Sequence, residues 1–124
     1  GGPIQVNGDG APYRSYLYAA DLTVWLWTIL FKGESCRLYN VGSEEDVTIA
    51  DLANTVAQRF QKPVEVRISK SPDPNRLPDR YVPATKRAQT ELGVKQIVNL
   101  REAIKRTINH VQTHGTMYMR NGSI

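Results

Sequence analysis

The stretch from Leu22 to Phe31 constrains this chain most. It is apolar at every position except Thr23 and Thr28. Asp21, just ahead of it, suits the positive end of a helix, and Gly33 behind it fits a left-handed cap. The sequence therefore predicts a helix over residues 20–32. A helix that is apolar on nearly every side is buried, or it covers a partner surface. In a chain of 124 residues, full burial of both Trp25 and Trp27 is difficult, so part of this helix is expected to lie against something else. The run is too short to span a bilayer.

The length suits one compact domain with a real core. A hydrophobic fraction of 40% with 23% charged residues is ordinary globular usage and excludes disorder of the whole chain. The net charge of +4 suits an anionic ligand. The basic residues are scattered and form no run or reader motif, so nucleic acid is not expected as a partner. Cys36 is the single cysteine, which excludes an internal disulfide. Beside a predicted strand it reads as a small, at least half-buried hydrophobe, and a reducing, cytoplasmic setting fits. The Gly1-Gly2-Pro3 start carries no basic segment, so no signal peptide is expected.

Along the chain, Ile4-Gln5-Val6 alternates like a strand, Gly8-Asp9-Gly10 is a turn signal, and the aromatic-rich stretch 13–18 reads as the returning strand of a hairpin. Residues 37–41 read as a strand closed by Gly42-Ser43. Thr48, with Asp51 three residues on, is a variant capping box. It opens a helix whose apolar face is Ile49, Leu52, Ala53, Val56, Ala57 and Phe60, stopped at Pro63. Val64, Val66 and Ile68 alternate with Glu65 and Arg67 as in a half-buried strand. Residues 69–83 hold four prolines and no periodicity, which marks a loop that is ordered for a task or flexible. A short helix over 85–92 ends at Gly93. The last helix is capped by Asn99, with Glu102 at its third position and Leu100, Ala103, Ile104, Thr107, Ile108 and Val111 on its buried face. The expected fold is a small mixed α/β domain, ordered hairpin, helix, strand, helix, strand and two helices. It spans residues 1–115, with a polar tail at 116–124. A right-handed crossover follows if the strands at 38–41 and 64–68 run parallel in one sheet.

Few residues suggest chemistry. Arg14 follows the glycine turn, where a strand-held guanidinium grips a phosphate well, although surface arginine is the commoner role. The loop residues Arg76, Asp79, Arg80 and Tyr81 lie among Pro72, Pro74, Pro78 and Pro83. That stiffening lowers the entropy cost of a binding loop, and a plain surface linker fits the spacing equally. Arg14 and Arg80 together would clamp a diphosphate. Asn40, at the end of a predicted strand, suits a ligand crevice or a turn that bonds its own backbone. His110 and His114 stand four apart with no third ligand and read as solvent-facing. Glu44, Glu45 and Asp46 read as a solvated turn. The sequence holds no glycine-rich dinucleotide fingerprint. No tyrosine has a lysine four residues on, since Leu17 and Thr85 occupy the places after Tyr13 and Tyr81.

Taken in order, several of these segments resemble one family. Gly8-Asp9-Gly10 with Arg14-Ser15-Tyr16-Leu17-Tyr18-Ala19-Ala20-Asp21-Leu22, then Tyr39-Asn40-Val41-Gly42-Ser43, Thr48-Ile49, Asp79-Arg80-Tyr81-Val82-Pro83, Thr85-Lys86, Glu91-Leu92-Gly93 and Leu100-Arg101-Glu102-Ala103-Ile104 are similar to the C-terminal, substrate-binding portion of extended short-chain dehydrogenase/reductases. These are the NAD-dependent epimerase/dehydratases of nucleotide sugars. Ala84 departs from the pattern, where an acidic residue is common. The resemblance implies that Arg14 and Arg80 contact the diphosphate of a nucleotide-diphosphate sugar, that Tyr81 shapes the pocket wall and that Asn40 lies near the nucleotide. It implies a parent enzyme, a homodimer serving polysaccharide biosynthesis, whose N-terminal Rossmann domain holds NAD and the catalytic Tyr–Lys pair. This chain then supplies substrate recognition, has no catalytic, cofactor or metal residues, and is inactive alone. Two other readings compete: a free-standing module for an anionic metabolite, and an interaction domain docking through the Trp25/Trp27 helix.

Overall fold

The computed structural model describes residues 2–60, 62 and 64–120, and the side chains of these up to residue 113. Five short strands and four helices follow one another as β1 (Ile4–Val6), β2 (Tyr13–Ser15), α1 (Ala19–Lys32), β3 (Asp46–Thr48), α2 (Ile49–Ala57), β4 (Val66–Ile68), β5 (Arg80–Tyr81), α3 (Lys86–Leu92) and α4 (Leu100–Arg120). The mixed α/β class expected from sequence is what forms. Of the stretch 116–124, residues 116–120 continue α4 and 121–124 lie outside the described residues.

The strands form two small sheets, and the expected hairpin is not one of their pairings. β1 pairs in parallel with β4, Ile4 opposite Val66 and Val6 opposite Ile68. β2 is the centre of a three-stranded sheet, antiparallel to β3 and parallel to β5. The reason lies in the connection. Asp9 Oδ1 accepts the Ala11 N–H at 3.0 Å, a side-chain turn that sends the chain sideways rather than back. Gly10 and Pro12 then give their carbonyls to Ala50 and Ile49 at the start of α2. Gly10 has φ 73°, and a side chain there would meet the Ala50 Cβ at 2.8 Å, so this crossing needs glycine.

The strand expected at 37–41 does not form among the described residues, and β3 forms five residues on. α2 joins β3 and β4, which lie in different sheets, so the crossover rule has no purchase on it. Cys36 is exposed rather than half-buried, and holds φ 60° in a turn where the Arg37 N–H donates to the Glu34 carbonyl.

Helix ends follow the local chemistry. The Thr48 hydroxyl accepts the Asp51 N–H at 3.0 Å and donates to the Asp51 carboxylate at 2.7 Å, as the capping variant requires. Asn99 Oδ1 accepts the Glu102 N–H at 2.9 Å, and Gly93 closes α3 at φ 69°. Gly33 is extended at φ −64°, ψ 140° rather than left-handed; the positive φ falls three residues on at Cys36, where the chain turns. Pro63, the expected stop for α2, lies outside the described residues, and the helix ends at Ala57.

The core is built around α1. Trp25 is 1% exposed and packs with Ala88 and Val94, flanked by Leu17, Tyr39, Val41 and Leu92. Its indole N–H donates to the Lys95 carbonyl at 3.1 Å. Asp21 is buried and takes the N–H groups of Ile97 and Val98 on one oxygen, at 3.0 and 2.9 Å. Ala53 and Ala57 are small enough to bring α2 close over the β1–β4 pair, and both are buried. Apolar cavities of about 460 and 300 Å³ flank α2, with Leu52 and Val56 lining both.

Arg37 and Tyr39 bind the same carboxylate, Glu91 on α3, at 2.7 Å from Arg37 Nε and 3.1 Å from the Tyr39 hydroxyl. The Arg37 hydrogen bond is the main cause that holds the Glu91 carboxyl below its ordinary value of 4.5. A depressed carboxyl stabilises the fold above that value, and the contribution fades as the pH falls below it. Arg37→Gln is therefore expected to lose less thermal stability than the unaltered chain between about pH 5 and about pH 3, measured as Tm against pH. Asp21→Ala orphans two N–H groups and is expected to destabilise the chain by about 2–3 kcal/mol in urea unfolding.

Candidate functional site

Strand register decides which of the candidate residues meet. In β2–β5, Tyr13 stands opposite Arg80 and Arg14 opposite Tyr81. In β2–β3, Ser15 stands opposite Asp46 and Arg14 opposite Val47. Residues in register share a face, and neighbours along a strand take opposite faces. Tyr13, Ser15, Asp46, Thr48 and Arg80 thus occupy one face of the sheet. Arg14, Val47 and Tyr81 occupy the other.

The clamp of Arg14 with Arg80 does not form. The two guanidinium groups project from opposite faces, because an odd position on one strand is matched with an even one on the next. Arg80 is also committed elsewhere: its Nε is 2.7 Å from Asp46 Oδ2, so its charge is already compensated. Asp46 thus belongs to an ion pair and not to a solvated turn. Glu44 leaves that turn as well. Its Oε1 accepts both the backbone N–H and the hydroxyl of Thr85 at 3.0 Å. Thr85, 1% exposed, makes no side-chain cap bond of its own, so Glu44 supplies the acceptor at the start of α3 from across the fold. Nothing in the spacing of residues 41 apart could have announced this.

Arg14 stands differently. It is half-buried, and its one hydrogen bond is to the neighbouring Tyr13 carbonyl at 2.7 Å. Among the described residues no carboxylate lies within ion-pair distance of it, whereas Arg37, Arg67, Arg76, Arg80 and Arg106 all have one. A partly desolvated guanidinium without a counter-charge is a standing site for an anion. Tyr81, on the same face, is 78% exposed and offers a ring beside that charge. Asn40 lies outside the sheet; its amide donates to the Ala84 carbonyl at 3.1 Å, three residues beyond Tyr81.

A cleft of about 590 Å³ opens between the turn after β1 and the proline-rich loop after β4. It lies beyond the carboxyl ends of a parallel strand pair, where open α/β sheets commonly bind ligands. Lys70 and Arg76 line it, with Asp9, Asp73 and Asp79. Lys70 has no carboxylate within ion-pair distance among the described residues, while Arg76 is 3.5 Å from Asp79. The loop is tied down at both ends, by Lys70 N–H to Gly8 and by Tyr13 N–H to the Asp79 carbonyl. Sequence reading weighed this loop for its arginines and passed over Lys70, which no motif marks.

The one glycine turn at the end of β1 does not suit a dinucleotide's pyrophosphate. The Gly8-Asp9-Gly10 turn leads into Pro12 and β2, not into a helix whose N-terminus would face a pyrophosphate. Among the described residues no three His, Cys, Asp or Glu side chains are grouped as a metal would need, and the side chain of His114 is not among those described. No helix among the described residues is long and apolar enough to cross a membrane.

No family model matches the chain. A curated relative, the trifunctional UDP-glucose 4,6-dehydratase/UDP-4-keto-6-deoxy-D-glucose 3,5-epimerase/UDP-4-keto-L-rhamnose-reductase of Arabidopsis thaliana, is 29% identical over 88% of the chain. The chain spans only 16% of that relative's length. Among solved structures, the epimerase Mth375 of Methanothermobacter thermautotrophicus superposes with a TM-score of 0.81 at 19% identity, over 97% of this chain and 36% of its own. The dTDP-glucose 4,6-dehydratase of Bacillus anthracis, solved with NAD, gives 0.76 at 16% identity over 93% of this chain and 36% of its own.

The Arg80–Asp46 pair is a surface contact, with side chains 61% and 30% exposed. A double-mutant cycle of Arg80→Ala with Asp46→Ala is expected to give a coupling of about 1 kcal/mol or less, read by chemical denaturation.

Proposed function

We propose that this chain, which belongs with the NAD-dependent epimerases and dehydratases, forms the substrate-binding part of such an enzyme and recognises a nucleotide-diphosphate sugar. The observation that carries this is Arg14: half-buried, without a carboxylate, and sharing a sheet face with exposed Tyr81. A diphosphate supplies the missing counter-charge through two parallel hydrogen bonds to the guanidinium. A nucleoside or sugar ring packs on Tyr81. Asn40 stays in the reading as a residue near the nucleotide. Arg80 leaves it as a direct ligand and holds β5, and so Tyr81, against β3 through Asp46.

In this reading the oxidation of the sugar, the proton transfers and the return of hydride belong to an NAD-binding Rossmann domain outside this chain. The parent enzyme is a homodimer of the cytoplasm serving polysaccharide synthesis, and this chain alone binds without turning over. Its residues orient the substrate by the diphosphate so that the sugar projects towards that domain, an arrangement in which remote binding energy is used to position the reacting carbon.

The test is calorimetric titration with UDP and with dTDP. Arg14→Ala is expected to lower affinity by about 1.5–3 kcal/mol, roughly 10- to 150-fold, while Arg80→Ala changes it by less than about 3-fold. Unchanged affinity in Arg14→Ala would remove the reading. The purified chain, given NAD with UDP-glucose or dTDP-glucose, is expected to form no 4-keto sugar, and product formation would place catalytic groups within these residues after all.

A further inference from the structure

Tyr81 sits on an edge strand of two residues, β5, which pairs only with β2 among the described residues. A pair so short does not hold its own register. On the near side of Tyr81, Arg80 bonds Asp46 across the sheet, with side chains 61% and 30% exposed, and such surface pairs are weak. What keeps the Tyr81 ring beside Arg14 must come largely from the other side.

Beyond Tyr81 the chain runs into a buried polar cluster. Ser43 and Thr85 are 2% and 1% exposed. The Ser15 hydroxyl donates to the Ser43 carbonyl at 2.5 Å and accepts the Ser43 N–H at 3.0 Å. Ser15 follows Arg14 on β2, so the stretch 42–44 is fastened to the strand that carries the arginine. The same stretch is fastened to the link that leaves Tyr81. A side chain on Gly42 would collide with the Pro83 ring. Glu44 Oε1 accepts the backbone N–H and the hydroxyl of Thr85, both at 3.0 Å, and the Gln89 amide donates to that hydroxyl at 2.8 Å. Charge-assisted bonds to a buried partner hold a position more firmly than an exposed ion pair does. Residues 42–44 thus bridge β2 to the segment after β5.

We propose that Glu44 is a positioning residue for the anion site. By gripping Thr85 it fixes the far end of the link that begins at Tyr81, and so keeps the exposed ring beside Arg14. Glu44 does not bind the ligand itself, because a carboxylate repels a diphosphate. The inference rests on the reading that Arg14 and Tyr81 receive a nucleotide diphosphate. The charge of Glu44 gives the proposal a definite sign. If charge alone counted, removing this carboxylate would tighten an anion. If position counts, removing it weakens the anion.

UDP titration of the whole chain, well below its melting temperature, reads which effect wins. Glu44→Ala is expected to weaken UDP about tenfold, through lost orientation of the site. Glu44→Gln removes the charge but keeps an oxygen that accepts both bonds, and is expected to stay within about threefold of the unaltered chain. The Tyr81 and Thr85 amides are expected to exchange faster with deuterium in Glu44→Ala and not in Glu44→Gln. A purely structural role lowers Tm and leaves the UDP affinity of the folded variant unchanged, and that result overturns the proposal. Affinity that rises in Glu44→Ala, or falls equally in both variants, overturns it as well. Where Glu44→Ala gives no cooperative melt, Thr85→Val takes its place. It loses the hydroxyl and keeps the N–H, and is expected to weaken UDP about threefold, with unchanged affinity again overturning the proposal. Arg14→Ala separates the two levels. Weakening by Arg14→Ala without weakening by Glu44→Ala removes only the role of Glu44, and unchanged affinity in both removes the nucleotide reading together with it.

Discussion

The anchoring of α1 by two side chains one turn apart holds this molecule together. Asp21 gathers the N–H groups of Ile97 and Val98, and the Trp25 indole reaches the Lys95 carbonyl. Both contacts land on the connection between α3 and α4. Each joins parts of the chain 70 or more residues apart. A buried carboxylate is tolerable only when its lone pairs are satisfied, so Asp21 fixes the connection as firmly as the connection fixes Asp21. Around this junction Ala88 and Val94 close on the indole, and Tyr39 and Val41 are drawn against it.

The sheets depend on that junction less directly. Strands of two or three residues cannot hold themselves in register. They are held by what flanks them: the Thr48 cap at the start of α2, the Gly10 and Pro12 carbonyls given to that same helix start, and the Arg80–Asp46 pair across the second sheet. The outcome for function is a matter of parity. One residue of register assigns Arg14 and Tyr81 to one face and Arg80 to the other. The two arginines that looked alike in sequence thereby stand differently, one without a carboxylate partner among the described residues and one paired with Asp46 across the sheet.

The same division runs through α1. Asp21 and Trp25 are its buried residues, while its outer half is apolar and exposed.

Sequence by itself determined what depends on neighbours a turn or less away. The class of fold, the spans of α1, α3 and the start of α4, and the Thr48 and Asn99 caps were all legible, because helix periodicity and capping are local. So was the excess of apolar surface on α1. Tertiary structure decided everything that requires a distant partner. It broke the expected hairpin by pairing Ile4–Val6 with residues more than 60 positions away, left 37–41 out of the sheets, gave Glu44 to Thr85, and set Arg14 and Arg80 on opposite faces. Strand pairing and register arise from long-range contacts whose energies no local pattern encodes. A single residue of register, invisible in composition or spacing, was therefore enough to undo the clamp and leave Arg14 as the free cation on its face of the sheet.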